Sequence, residues 1–309
     1  MSKNKYEIDM CNGTIMDKLI SFSVPLMLSG ILQLMFNAVD IIVVGRFAGS
    51  QSLAAVGSTT ALINMFVNLF IGVSLGANVL AARFYASGKH KEMSETVHTA
   101  ITFAAISGVV MALIGVLMAK PALELMGTPD DVINLSTLYM RIYFLGMPFF
   151  MLYNYGAAVL RAVGDTKRPL MFLMAAGIIN ACLNMVLVIV FNLGVAGVAI
   201  ATIFSQFISC VLVLRCLNKT DASYQLRFSK LKIKGYYLKQ IFQVGIPAGI
   251  QSTVINFSNA LLQSSVNSFG STAMAGYTAA NNILGFLYAS INSVTQACIC
   301  LLYTSPSPR

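Results

Sequence analysis

The stretch Leu19–Val44, LISFSVPLMLSGILQLMFNAVDIIVV, runs for 26 residues with a single charge, Asp40. A helix of that length crosses a bilayer with some tilt. A carboxylate at that depth costs about 2.5–3.5 kcal/mol on insertion scales, so it persists where it faces a cavity and has a task. Ser29, Gln33 and Asn37 precede Asp40 at helical spacing, which puts four polar side chains on one stripe. The alternative is a polar contact that glues two helices, but amides and hydroxyls serve that purpose at lower cost. The other ten acidic residues lie at the ends of apolar runs or between them.

Working outward, hydrophobic residues make up 57% of the 309-residue chain and charged residues 10%, far from the quarter usual in soluble domains. Charge-free runs divide it into eight expected spans: 19–44, 53–78, 97–119, 133–158, 169–191, 195–217, 240–264 and 272–301. Residues 169–214 carry no charge and are too many for one span, so a tight turn is expected at Asn192-Leu-Gly194-Val-Ala-Gly197. Ser268–Ser271 divides the last apolar block in the same way.

With the N-terminus and every second loop assigned to one side, that side holds 16 Lys and Arg against three (Arg46, Lys120, Arg141) on the other. The positive-inside rule makes the N-terminus cytoplasmic. The net charge of +9 then reports orientation and requires no nucleic-acid partner. The first apolar run is too long for a cleavable signal peptide and lacks a small-residue cleavage site. Six scattered cysteines show no disulfide or zinc spacing, and His90 and His98 stand apart from acids and cysteines. No Gly-x-Ser-x-Gly, Walker or His-Glu-x-x-His pattern occurs, so the sequence gives no support to an enzyme.

The chain also repeats itself. Residue n beside n+222 pairs Pro25 with Pro247, Asn37 with Asn259 and Phe47 with Phe269; one dropped residue then sets Leu53-Ala-Ala-Val beside Met274-Ala-Gly-Tyr. Six spans separate the copies, so both enter the membrane from the same side. Parallel repeats of this kind build two-lobed, rocking transporters. The expected division is a six-helix lobe over 1–214, a basic cytoplasmic linker over 215–239, two helices of a second lobe over 240–301 and an atypical tail over 302–309. The linker's cations are available to anionic lipid headgroups or simply to water.

Three places resemble the multidrug and toxic compound extrusion (MATE) family. They are Val24-Pro25 with Val39-Asp40-Ile-Ile-Val-Val-Gly45-Arg46, the loop Leu160-Arg-Ala-Val-Gly-Asp-Thr-Lys-Arg-Pro169, and Gly245-Ile-Pro247. The resemblance implies an all-α polytopic protein of two six-helix bundles, here one complete bundle and the first two helices of the second. It implies secondary active, cation-coupled antiport of organic cations or amphiphiles by a monomer in the plasma membrane, with a proton or sodium as coupling ion and no other cofactor. The ion site it implies is Asp40, Asn154, Asn180, Asn184 and Thr202, with sodium held at Asp40, Asn180 and Asn184.

Independently of the family, Asn180 and Asn184 stand four apart in an apolar span and share a face. Interhelical hydrogen bonding is their structural alternative. Gln33, Asn37, Tyr139, Tyr143, Asn256 and Asn259 are candidates to line the substrate cavity. Two positions depart from the family: 184 is acidic in some relatives, and an acid that some carry on the seventh helix is Ile255 here. The ending Ser-Pro-Ser-Pro-Arg309 does not resemble the family's continuation and reads as a truncation. The rival functions are a lipid-linked sugar flippase, for which only Arg141 offers a cation near the cavity, and a non-transporting scaffold, which would need neither the repeat nor the buried acid.

Overall fold

The computed structural model describes residues 14–128, 130–267, 284–285 and 287–299, and among these every regular element is helical. The elements are α1 (Ile15–Val43), α2 (Ser50–Ala86), α3 (His90–Leu125), α4 (Asp130–Leu145), α5 (Met147–Ala162), α6 (Lys167–Met185), α7 (Gly194–Lys219) and α8 (Gly235–Asn267). Residues 287–299 form a further helical segment. Each helix runs beyond its apolar core into charged residues, because hydrogen bonding continues where hydropathy stops. The bilayer sets the length of the apolar stretch and leaves the helix ends free.

Among the described residues, five helices are long and apolar enough to cross a membrane, and six if the α4–α5 pair counts as one broken span. That pair corresponds to the expected fourth span, but it bends by 47° at Gly146. Pro148 follows the break and supplies no N–H to the preceding turn. The peptide N–H of Gly146 reaches only three residues back, to the carbonyl of Tyr143 at 3.0 Å. α8 has the length of a span, but Gln240, Gln243 and Gln251 dilute its apolar character. The expected turn at 268–271, most of the span over 272–301, and Phe269 and Met274–Tyr277 of the repeat lie outside the described residues. Pro25 and Pro247, which the repeat pairs, both sit inside long helices.

The expected turn after the fifth span is present. Asn192 (φ 52°) and Gly194 (φ 55°) both adopt left-handed backbone, which Asn and Gly tolerate best. They reverse the chain between α6 and α7. Of the candidate spans α2 is the most buried and α1 the least. α2 packs against α3, α4, α5 and α8, while α1 leans on α6. The crossing of α2 with α8 is backbone on backbone: a Cβ on Gly72 would lie 2.2 Å from Gly249 Cα, and one on Gly76 2.2 Å from the carbonyl oxygen of Ile241. Small residues permit such approach where lipid offers no hydrophobic driving force. The outward faces carry large apolar side chains such as Leu113, Leu117, Ile178 and Val190, as a lipid-facing surface requires.

Candidate functional site

Asp40 lies near the end of α1, half-buried. The close packing of α1 on α6 sets its neighbours: a Cβ on Gly177 would fall 1.8 Å from the Phe36 ring, so only glycine lets the ring seat there. One turn beyond Phe36, Asp40 meets Asn184 of α6, whose Nδ2 donates to Asp40 Oδ1. Asn184 Nδ2 also donates to Asn180 Oδ1 at 3.3 Å, and Asn180 Nδ2 donates in turn to Thr202 Oγ1 at 3.5 Å. The hydroxyl of Thr202 donates to the carbonyl of Val198 within α7 at 2.9 Å. Asp40, Asn184, Asn180 and Thr202 therefore form one continuous polar chain through three helices. None of the ion pairs among the described residues involves Asp40.

Both α1 and α6 end in a π-helical turn just past this contact, Val44–Ala48 and Val186–Val190. Such turns cost hydrogen-bond geometry and recur at functional sites. The Oδ1 of Asn184 is buried and has no hydrogen-bond partner among the described residues. A buried amide oxygen left so costs about 1–3 kcal/mol. The Asn184 amide turns its Nδ2 to both Asp40 Oδ1 and Asn180 Oδ1, and the carboxylate, amide and hydroxyl oxygens of this chain are the ligand types that a small hard cation takes. The same arrangement serves a carboxylate that takes up a proton. No cluster of three or more His, Cys, Asp or Glu suited to a metal ion occurs among the described residues.

The remaining sequence candidates divide. Tyr139 and Tyr143 lie within the electrostatic reach of Asp40, and their rings are tilted by 31° at a centroid distance of 6.2 Å. Asn154 is half-buried but donates to the Phe150 carbonyl of its own helix at 2.9 Å, so it is not joined to the Asp40 chain. Gln33 and Asn37 are exposed. Ser29 donates to the Pro25 carbonyl at 2.8 Å, which accounts for its place on the stripe by local bonding. Asn256 and Asn259 belong to α8, and their side chains fall outside the described residues.

Gln206 of α7, hydrogen-bonded to Tyr143, was not among the candidates. Its Oε1 would lie 3.3 Å from a Cβ on Gly146, so the break in the fourth span borders the same region. A polar residue at the facing position of an adjacent span is a signal that could have found it.

This geometry, a bundle of apolar helices with a carboxylate and amides meeting at bilayer depth, defines a multi-pass membrane protein with an intramembrane polar site. The sequence profile of the family described as MatE matches residues 25–186, just over half of the chain, and the chain belongs to that family. It is similar to the probable multidrug resistance protein YoeA of Bacillus subtilis (strain 168), 34% identical over 275 residues, covering 86% of this chain and 59% of that protein. It is also similar to the probable multidrug resistance protein YpnP of the same organism, 28% identical over 276 residues, covering 89% and 61%. The chain thus spans about three fifths of the length of these curated relatives. Among solved structures, the outward-facing conformation of a multidrug resistance MATE family transporter of the MOP superfamily superposes with a TM-score of 0.89 at 21% identity. The match covers 97% of this chain and 67% of that one and supports the all-helical fold.

Proposed function

We propose that the chain carries the ion-coupling lobe of a multidrug efflux transporter, residues 1–214, joined by the basic segment 215–239 to the start of a second lobe. The substrates are small organic cations or amphiphiles, expelled across the plasma membrane by alternating access. The N-terminus and the 215–239 segment face the cytoplasm, in keeping with the loop charge asymmetry. The observation that carries this reading is the Asp40–Asn184–Asn180–Thr202 chain. A lone acid whose partner is a neutral amide can release or accept a proton, or exchange it for sodium, without tearing a salt bridge. Binding that differs between inward- and outward-open states shifts their populations.

A flippase for anionic lipid-linked sugars gains no support from Arg141, whose Nε donates to the Val116 carbonyl of α3 at 3.3 Å.

The test is efflux of a fluorescent organic cation from cells, with the proton and sodium gradients collapsed separately. The chain is expressed with the remaining C-terminal part of YoeA joined to it. Efflux should stop with one gradient, and Asp40→Asn should abolish it at unchanged expression. Gradient-driven efflux by Asp40→Asn at the wild-type rate refutes the site.

A further inference from the structure

The segment between α7 and α8 is a strap with two unlike faces. Its inner face is fastened to α2, α3 and α7. Tyr224 and Leu226 are fully buried, the Tyr224 ring meets Tyr85 at 6.3 Å, and Leu226 N donates to the Leu217 carbonyl at 3.0 Å. The N–H of Arg227 donates to His98 Nε2 at 3.1 Å, while His98 Nδ1 donates to the Ser94 carbonyl at 2.6 Å. Lys234 closes the far end, its N–H donating to Thr99 Oγ1 at 3.3 Å and its ammonium pairing with Glu95.

These fastenings fix the depth of the strap. They fall on residues 95, 98 and 99 of α3, where the charged turn His90–Glu95 gives way to the apolar run that starts at Val97. A helix rises about 1.5 Å per residue, so the strap lies level with the boundary between headgroups and acyl chains rather than out in water.

The outer face alternates cations with large apolar groups. Phe228 is 55% exposed, Leu231 39% and Tyr236 69%, and Arg227 just before them and Lys230 and Lys232 between them are exposed as well. Asp221 is the only acid from 220 to 239. Aromatic and aliphatic side chains at interfacial depth, flanked by Lys and Arg, suit a surface that enters the acyl boundary while its cations meet headgroup phosphates. Each cation near an anionic leaflet contributes about 1 kcal/mol, roughly fivefold in local affinity.

We propose that the strap over residues 227–236 docks on anionic phospholipid headgroups, with Phe228, Leu231 and Tyr236 inserted beside them. This rests on the membrane embedding of the bundle and not on the transport reading, so failure of either leaves the other standing.

The chain contains no Trp, so Phe228→Trp creates a single emission reporter at an exposed position. The variant is placed in nanodiscs of phosphatidylcholine with phosphatidylglycerol, one or the other carrying brominated acyl chains. Emission should be blue-shifted and quenched at least about twofold more by the brominated anionic lipid. Adding Arg227→Gln, Lys230→Gln and Lys232→Gln should erase that difference with helical content unchanged by circular dichroism. Inorganic phosphate should have no effect beyond that of chloride at equal ionic strength.

Three results overturn the proposal. The first is an emission that neither lipid quenches, which means that water or protein covers the strap. The second is equal quenching by both lipids that survives the triple substitution. The third is specific displacement by free phosphate, which assigns the cations to a soluble anion.

Discussion

Asp40 and Asp165 are both carboxylates enclosed by the bundle, and their surroundings are opposite in kind. Asp165, at the turn between α5 and α6, is fully buried. Arg168 reaches it with its guanidinium at 3.2 Å and with its own backbone N–H at 3.1 Å. That acid is held as an anion by a cation one turn away, and its task is to close the turn. Asp40 receives an amide N–H from Asn184, and no ion pair among the described residues reaches it. Changing the state of Asp165 would break an ion pair; changing the state of Asp40 breaks none among the described residues. The contrast separates an acid that serves structure from one able to exchange an ion.

The comparison breaks most readily at Asp165. Asp165→Asn removes the carboxylate that faces the half-buried Arg168, and removing one partner of such a pair costs about 3 kcal/mol or more. The melting temperature in detergent should fall sharply and the yield of monodisperse protein with it. A wild-type melt would mean that the anion is not structural.

Asn184→Ala comes next, at about 1–2 kcal/mol. It removes the donor to Asp40 and opens a small cavity, but it also relieves the partnerless Oδ1. The same melt measures it, and a loss as large as that of Asp165→Asn would erase the distinction between the sites. Arg168→Lys should cost about 1 kcal/mol. Lysine keeps the charge but loses the planar fork that contacts Asp165 and the Cys216 sulfur (3.4 Å) together. A loss equal to that of Asp165→Asn would show that geometry, rather than charge, holds the turn.

The two acids were not equally legible in the sequence. Asp40 stands out because a charge inside a long apolar run is costly, and the pairing of Asn180 with Asn184 follows from helical spacing alone. The helical, membrane-spanning class was readable for the same reason, since hydropathy reports burial in lipid directly; among the described residues five of the eight expected spans are present, six with the broken α4–α5 pair. What stayed hidden depends on contacts between distant segments. Asp165 looks like any loop acid until the turn folds over it. The fastening of the strap by His98 joins residues 129 apart, and no local pattern marks it. The 47° break at Gly146 lies inside a continuous apolar run, where hydropathy is blind to a lost hydrogen bond; Pro148 is the residue that announces it. Asn154 fits the family's pattern by position, yet its amide bonds its own helix, a choice between local and interhelical partners that composition does not decide.

The smallest effect on stability should come from Asp40→Asn, and there the comparison is at its sharpest. The substitution exchanges a charge-assisted hydrogen bond, about 1.5–3 kcal/mol, for a neutral one of about 0.5–1.5. It also replaces a carboxylate at bilayer depth by an amide, which is costly there too, and so relieves only part of the roughly 2.5–3.5 kcal/mol that the acid costs. The terms oppose each other, so the melt should move little or rise slightly. Asp165→Asn gains no such compensation, because its carboxylate was already neutralised by a guanidinium. A neutral melt alone would also suit an acid that only glues helices together, so ion sensitivity is the deciding measurement. An ion that binds only the folded state adds about 2.7 kcal/mol at a hundred times its dissociation constant. The wild-type chain should therefore melt higher in sodium than in potassium at equal ionic strength, or show a pH dependence that the variant lacks. The difference between wild type and Asp40→Asn cancels every other titrating group in the chain. If the two proteins respond identically to sodium and to pH, Asp40 binds no coupling ion, and the contrast with Asp165 reduces to one between two structural acids.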